Sequence, residues 1–394
     1  MPPGPGTTTP DTASAPDPPL RVTSLELFFD LVFAFTLTQL ATLLAGTDRR
    51  PPGPTGPGAV RVLLVFGVLW WMYGGYAWLT NTRTPNRTPE RLLLLTGMAG
   101  FLVVGLAIRA GSLSPRPTAA GLALGVGYLI VVLVHSALYY RANRNILRVA
   151  PFNLASALLV IAAGLTGGRA AYPLWAAALA IQVLSPLVLP VGGRFEIHPA
   201  HFAERHGALI IVALGESVAS VGIGAAGLYL SGQDVVAAVL GLALSAALWW
   251  IYFGADDDER AREAMTAAGR PERPGLALAA YFYAHIPLLL GIVALAAGVK
   301  LTIGHADRPA TGADALALGA GVALFLAGHA AFRRVLRSGP AGPRLVTAGF
   351  ALATAALGAA VAVEAQLVVL LAGLVIMLAA ERRWLPTRPG HRAG

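Results

Sequence analysis

The sequence predicts an all-α integral membrane protein of about 12 transmembrane helices, built as two six-helix repeats of the same orientation. Three observations predict it. Charged residues make up 12% of the 394 residues and hydrophobic ones 56%, with a mean hydropathy of +0.66, whereas a soluble domain carries roughly 25% charged residues. Apolar runs of about 20 residues, enough to cross a bilayer as a helix, recur along the whole chain. The second half of the chain also repeats landmarks of the first in the same order.

Residues 1–20 read as a disordered tail. They are rich in Pro, Thr and Gly, and Met1–Pro19 holds no Lys or Arg, so neither the basic start nor the apolar centre of a signal peptide is present. Apolar spans follow at 25–46, 59–80, 91–110, 118–140, 151–167, 171–191, 203–230, 234–254, 275–299, 312–332, 344–362 and 364–381. Pro, Gly and Arg mark the breaks, as in Arg49-Arg50-Pro51-Pro52 and Gly339-Pro340. Residues 21–191 and 192–384 form the two repeats, and 385–394 a C-terminal tail.

A net charge of +9 suits nucleic acid at first sight. The arginines, however, sit in short loops between apolar spans, where they serve membrane topology and contact with anionic lipid. No nucleic-acid partner is expected. With Met1 placed inside, 21 of the 29 Lys and Arg fall in inner segments and 8 in outer ones, Lys300 among the latter. This bias predicts both termini on the cytoplasmic side and an even number of spans. The absence of cysteine removes disulfides, thiolate metal sites and thiolate nucleophiles.

The repeat rests on paired landmarks. The second span ends WWMYGGYA (Trp70–Ala77) and the eighth contains WWIYFGA (Trp249–Ala255). Pro-Glu-Arg follows each, at Pro89–Arg91 and Pro271–Arg273. His135 and His329 occupy the same place in the fourth and tenth spans. Six is even, so the two halves share an orientation and their pseudo-symmetry axis runs along the membrane normal. The first and seventh helices then correspond, and both carry acids in their inner part.

The seventh helix concentrates the chemistry. HFAERHGALIIVALGES (His201–Ser217) opens with His201, Glu204, Arg205 and His206 and carries Glu216 about 18 Å deeper, at ~1.5 Å of rise per residue. A carboxylate at that depth needs a cavity or a partner. Arg205 stands too far along the helix, about 16 Å, to bond it directly. In the first helix, Glu26 and Asp30 are four residues apart and share a face; ion pairs with loop arginines are their plainer reading, a shared ion- or proton-binding site the sharper one. His198, His201, Glu204 and His206 bring a metal site to mind, and His201 and Glu204 share a face. The HExxH spacing is absent, so caps and ion pairs are expected there and no metal. His285, about 15 Å into the ninth span with Pro287 loosening the helix behind it, reads as a buried neutral histidine or a protonatable gate. His135 and His329 are expected to pack, although their matched positions would allow pairing across the axis. Trp70, Trp71, Trp249 and Trp250 read as an interfacial belt. Gly215, Gly222 and Gly224 read as a close-packing surface, and Asp256–Glu263 as a solvated turn.

No GxSxG, Walker loop or GxGxxG is present, so no enzyme and no cofactor is expected. The segments RVTSLELFFDLVFAFTLTQL (Arg21–Leu40) and HPAHFAERHGALIIVALGES (His198–Ser217) resemble the bacterial low temperature requirement protein A family (LtrA). That resemblance implies a multi-pass protein of the bacterial cytoplasmic membrane, linked by the family's name to growth in the cold. The run ELFFDLVFAFTLT followed by LWWMYGGY is also similar to a potassium-channel family with six-helix repeats. Phe29 replaces the serine of that family's F-S-D motif and no histidine follows Trp70–Trp71, so the likeness implies the fold and not the selectivity.

The residues point to a protein that conducts or transports an ion or small solute, with its site between helices 1 and 7. Asp30 and Glu216 are the expected ion- or proton-binding carboxylates, with Glu26 and His201 beside them. His206 and Glu204 would form the cytoplasmic mouth, Arg205 would tune its charge, and His285 would gate. The rival expectation is a non-transporting membrane protein, a lipid-acting enzyme or a sensory component.

Overall fold

The computed structural model describes residues 21–46, 52–82, 85–111, 116–142, 146–188, 197–225, 231–254 and 257–384. Both tails assigned from the sequence, 1–20 and 385–394, lie outside them. The described residues are helical throughout, without a strand. The first half comprises α1 (Ser24–Ala45), α2 (Gly56–Thr82), α3 (Thr88–Gly111), α4 (Ala119–Ala142), α5 (Ile146–Thr166) and α6 (Ala171–Val188). The second comprises α7 (Pro199–Gly224), α8 (Gly232–Phe253), the short α9 (Asp257–Ala267), α10 (Arg273–Ala277), a π-helical turn Leu278–Tyr283, α11 (His285–Thr302), α12 (Gly312–Leu336), α13 (Gly342–Ala360) and α14 (Val363–Trp384).

Eleven helices among the described residues are long and apolar enough to cross a membrane. The span expected at 171–191 appears as α6, and its last three residues lie outside the described ones. Leucines, valines and isoleucines on the outer faces stay exposed, among them Leu106, Val188 and Ile376. An aqueous surface would not tolerate so many; lipid is their natural solvent.

Within the first half α1 packs on α3, α3 on α4, α4 on α5 and α5 on α6, while α2 lies against α1, α4 and α6. Within the second, α7 packs on α11, α11 on α12, α12 on α13 and α13 on α14, while α8 lies against α7, α12 and α14. The halves meet where α1 touches α7 and α11. Glycines set two of the closest crossings. A Cβ on Gly100 of α3 would stand 2.9 Å from the carbonyl of Gly127 on α4, and one on Gly291 of α11 would stand 2.6 Å from that of Gly321 on α12. Such backbone approach is what small residues contribute between membrane helices.

Four expectations are corrected. Trp70 is fully buried: its ring stacks on Tyr73 and Phe282, and its indole N–H donates to the Phe282 carbonyl at 3.1 Å. Trp249 and Trp250 are exposed, as a belt requires. A Cβ at Gly215 or Gly222 would meet nothing within 4 Å, so of the three glycines only Gly224 allows close packing, against Lys300 and Ile303. The segment after Asp256, itself outside the described residues, is helix α9, and Asp257 is completely buried. Lys300 lies in the last turn of α11, half-buried, and not in an outer loop.

Candidate charged site between α1 and α7

The N-terminal turn of α1 is fixed locally. Thr23 caps the helix, its hydroxyl and backbone N–H both donating to Glu26 Oε2 (2.9 and 2.8 Å). This capping box turns the Glu26 carboxylate back along the helix start, where Oε1 faces α7. One turn on, Asp30 projects from the same face. On the other side, α7 begins at His198, whose own side chain makes no cap. Asn81 at the end of α2 serves instead, accepting the His198 N–H at 2.8 Å and donating to its carbonyl at 3.0 Å.

These two helix starts bring four expected residues together. Nη1 of Arg205 lies 2.9 Å from Glu26 Oε1, and Nη2 donates to Asp30 Oδ1 at 3.0 Å. Tyr73 donates its hydroxyl to the same Oδ1 at 2.8 Å. The guanidinium also lies over the rings of Phe29 and Tyr73, 5.6 and 5.8 Å from their centroids. His201 completes the group. The Asn81 amide donates to Nδ1 (3.1 Å), which leaves the proton on Nε2, 3.2 Å from Glu26 Oε1. Glu26, Asp30, His201 and Arg205 are each 1% exposed or less. With His201 neutral, two carboxylates share one guanidinium and the group carries one excess negative charge. Asp30 Oδ2 has no hydrogen-bond partner among the described residues.

Glu216 lies elsewhere, about 16 Å further along α7 by helical rise. Thr38 of α1 donates to its Oε2, and Ser220, one turn on, to its Oε1 at 3.2 Å. Lys300 reaches this part of α1 from α11, donating to Thr42, one turn beyond Thr38, at 2.8 Å. Between the two levels, counted along the helices, stand buried Phe33 and Leu37 of α1 and Leu209 and Ala213 of α7; Phe33 packs on Trp70 and Tyr73 of α2 and on Phe101 of α3. Asp30 and Glu216 thus lie at two separate levels of one interface and are not a pair; the pair is Glu26 with Asp30.

His206 and Glu204 do not form a common mouth. Glu204 is exposed and accepts the backbone N–H of Val22 at 3.4 Å. His206 is buried among Trp70, Phe202, Tyr281 and His285. Its Nδ1–H donates to the Phe202 carbonyl at 2.8 Å. His285 donates from Nδ1 to the Ala280 carbonyl and faces the Tyr252 hydroxyl at Nε2, both at 3.0 Å. The π-helical turn sets up this corner. Pro287 returns no N–H to the preceding turn, and where the ladder breaks, the carbonyls of Ala280 and Phe282 bond to His285 and Trp70.

His201 and Glu204 diverge, one into the core and one outward, and among the described residues no group of three or more His, Cys, Asp or Glu is arranged to hold a metal ion. His135 and His329 lie apart. His329 belongs to a second buried ion cluster, in which Arg333 and Arg344 each bond both Asp257 (2.7 and 3.0 Å) and Glu381 (2.8 and 3.1 Å), and Arg344 also donates to His329 Nδ1. Arg205, Arg333 and Arg344 are therefore paired inside the bundle and are not loop charges. The sequence offered little sign of this second cluster, because its members come from four helices far apart in the chain.

Apolar helices in this number, closed around buried ion pairs, define a multi-pass membrane protein. The chain belongs to the bacterial low temperature requirement A protein (LtrA) family, whose model matches residues 21–380. It is 29% identical over 327 residues to an uncharacterized protein of Rhizobium meliloti (strain 1021), a match covering 79% of this chain and 76% of that one. No solved structure matches it.

Proposed function

We propose that the protein moves a proton or small cation across the bacterial cytoplasmic membrane along the α1–α7 interface. The observation that carries this reading is the shared guanidinium: Glu26 and Asp30, both buried, have one arginine between them. A purely structural ion pair needs one carboxylate per guanidinium, since uncompensated buried charge is costly. The second carboxylate calls for an exchangeable positive charge, from a proton on the carboxylate or on His201, or from a bound cation. Glu216, with two hydroxyls and Lys300 around it, is the second station. Along the helices, buried apolar residues stand between the two levels, Leu37 on α1 and Leu209 and Ala213 on α7, so in this reading passage requires α1 and α7 to shift against each other. This favours a carrier over an open pore.

Two parallel six-helix repeats, 21–191 and 192–384, fit the matching packing lists of the two halves and the matching glycine crossings of α3–α4 and α11–α12. In that arrangement α1 and α7 are symmetry mates, both termini are cytoplasmic, and the Glu26–Arg205 level is the cytoplasmic station.

The test is flux in proteoliposomes, with proton or potassium gradients read by a pH dye under a valinomycin clamp. The expected result is flux that is lost in Glu216→Gln and Asp30→Asn while both variants still fold and unfold cooperatively. Flux at wild-type level in both variants, or none from folded wild-type protein under any gradient, would overturn the proposal.

A further inference from the structure

Away from the charged interface, the first half lines a cavity of about 110 Å³, open on part of its rim. It lies between α2, α4, α5 and α6 and is closed on one side by Leu278 and Phe282 of the π-helical turn. Trp71, Met72, Trp78 and Phe282 are among its lining residues, and no Asp, Glu, Lys or Arg lines it. The polar lining residues are His135, Tyr139, Asn153 and Ser185. Asn153 Oδ1 is engaged by the Trp71 indole N–H at 3.1 Å, and the Ser185 hydroxyl donates to the Gln182 carbonyl at 2.8 Å.

Two observations distinguish this space from a packing defect. His135 is 3% exposed, and neither ring nitrogen makes a well-formed hydrogen bond among the described residues, the Gly75 backbone lying close to the ring, although buried polar groups are nearly always bonded. Gly75 leaves the room its ring occupies, since a Cβ there would stand 2.8 Å from Nε2. The matching histidine of the other half, His329, is instead bonded to Arg344, within the Asp257–Arg333–Arg344–Glu381 cluster of α9, α12, α13 and α14. Of the two histidines, one is held by an ion cluster and the other lines an aromatic, uncharged cavity.

We propose that this cavity binds an uncharged amphiphile drawn from the bilayer, its apolar body against the tryptophans and its hydroxyl or carbonyl bonded to His135. The absence of charge in the lining selects against carboxylates and phosphates, which lose their hydration with nothing to replace it. The imidazole offers one donor and one acceptor, the complement of an alcohol or of the carbonyl of an ester. This inference does not depend on the transport reading.

The experiment uses the full chain in phosphatidylcholine nanodiscs and a photoreactive long-chain alcohol, hexadecanol with a chain diazirine. The expected label falls on peptides holding Trp71–Trp78 and residues 146–153 and is displaced by hexadecanol but not by palmitate. His135→Leu, which keeps the walls, should weaken displacement by hexadecanol about tenfold, the effect of one lost buried hydrogen bond. Val149→Trp, which fills the space from a half-buried position, should abolish the displaceable label. Ser185→Met serves the same purpose if that variant does not fold. Label spread over the lipid-facing helices and indifferent to competitor and filling would overturn the site. Equal displacement by palmitate would overturn its preference for uncharged ligands.

Discussion

Nη2 of Arg205 on α7 lies 3.0 Å from Oδ1 of Asp30 on α1, with both side chains buried. This contact and the neighbouring one to Glu26 join the first half of the chain to the second through a single guanidinium. Replacing it leaves two buried carboxylates without a cation. Arg205→Leu is therefore expected to cost about 3–5 kcal/mol, read as a lowered thermal or denaturant midpoint in micelles. Adding Glu26→Gln and Asp30→Asn should restore most of the loss. Arg205→Lys should recover little, because one ammonium does not reproduce a fork that reaches two carboxylates. An Arg205→Leu variant as stable as wild type would show that the pairing is absent.

Thr38 tests the Glu216 level in the same way, with a smaller effect. Its hydroxyl donates to Glu216, while Ser220 supplies a second donor from the same helix as the carboxylate. Thr38→Val keeps the shape and removes one donor. A loss of about 1–3 kcal/mol is expected, and the double variant with Glu216→Gln should lose less than the sum of the two single changes. Strict additivity in that cycle would mean the two side chains do not interact.

The ion cluster of the second half is expected to behave as a unit. Arg333 and Arg344 each bond both Asp257 and Glu381, so the four charges cancel pairwise. Asp257→Asn and Glu381→Gln should each cost about 3–5 kcal/mol. The two together should fall short of additivity by at least about 0.5 kcal/mol, since residues of one network couple. Unfolding midpoints of the two single variants and the double variant decide this.

The fold class was legible because lipid imposes a length and an apolar composition that any window of sequence reveals. Much of the first cluster was legible as well: Glu26 and Asp30 show their shared face through i, i+4 spacing, and a polar group at the start of α7 is conspicuous in apolar surroundings. Which partner each residue takes was not legible. Arg205 reads as one more inner arginine until α1 is seen beside it. Asn81 looks like a loop residue, yet it caps α7 and orients His201. Asp257 sits in an acidic run that reads as solvated, and only the approach of α12 and α14 reveals its burial. Trp70 and Trp71 look like an interfacial pair, but α2 is central in its half, so the first indole points into the core. In each case the deciding contact spans more than 40 residues of chain, beyond what periodicity or local spacing reports.

Two glycines separate the roles that sequence alone treats alike. Gly74 of α2 lies under the Phe282 ring, where a Cβ would stand 2.6 Å from the ring edge. Phe282 in turn stacks on Trp70 and presents its carbonyl to the Trp70 indole. Gly74→Ala must therefore push Phe282 and the π-helical turn away from α2, at an expected cost of about 1–3 kcal/mol for overpacking. Gly215 of α7 is exposed with nothing within 4 Å of a Cβ. There the same substitution adds no clash and removes backbone freedom from the unfolded chain, so Gly215→Ala should be neutral or stabilising by up to about 1 kcal/mol. Unfolding midpoints of the two variants, measured side by side, check both. The opposite ranking would mean that α2 and the π-helical turn are not in contact and that α7 has an unseen neighbour along its glycine face.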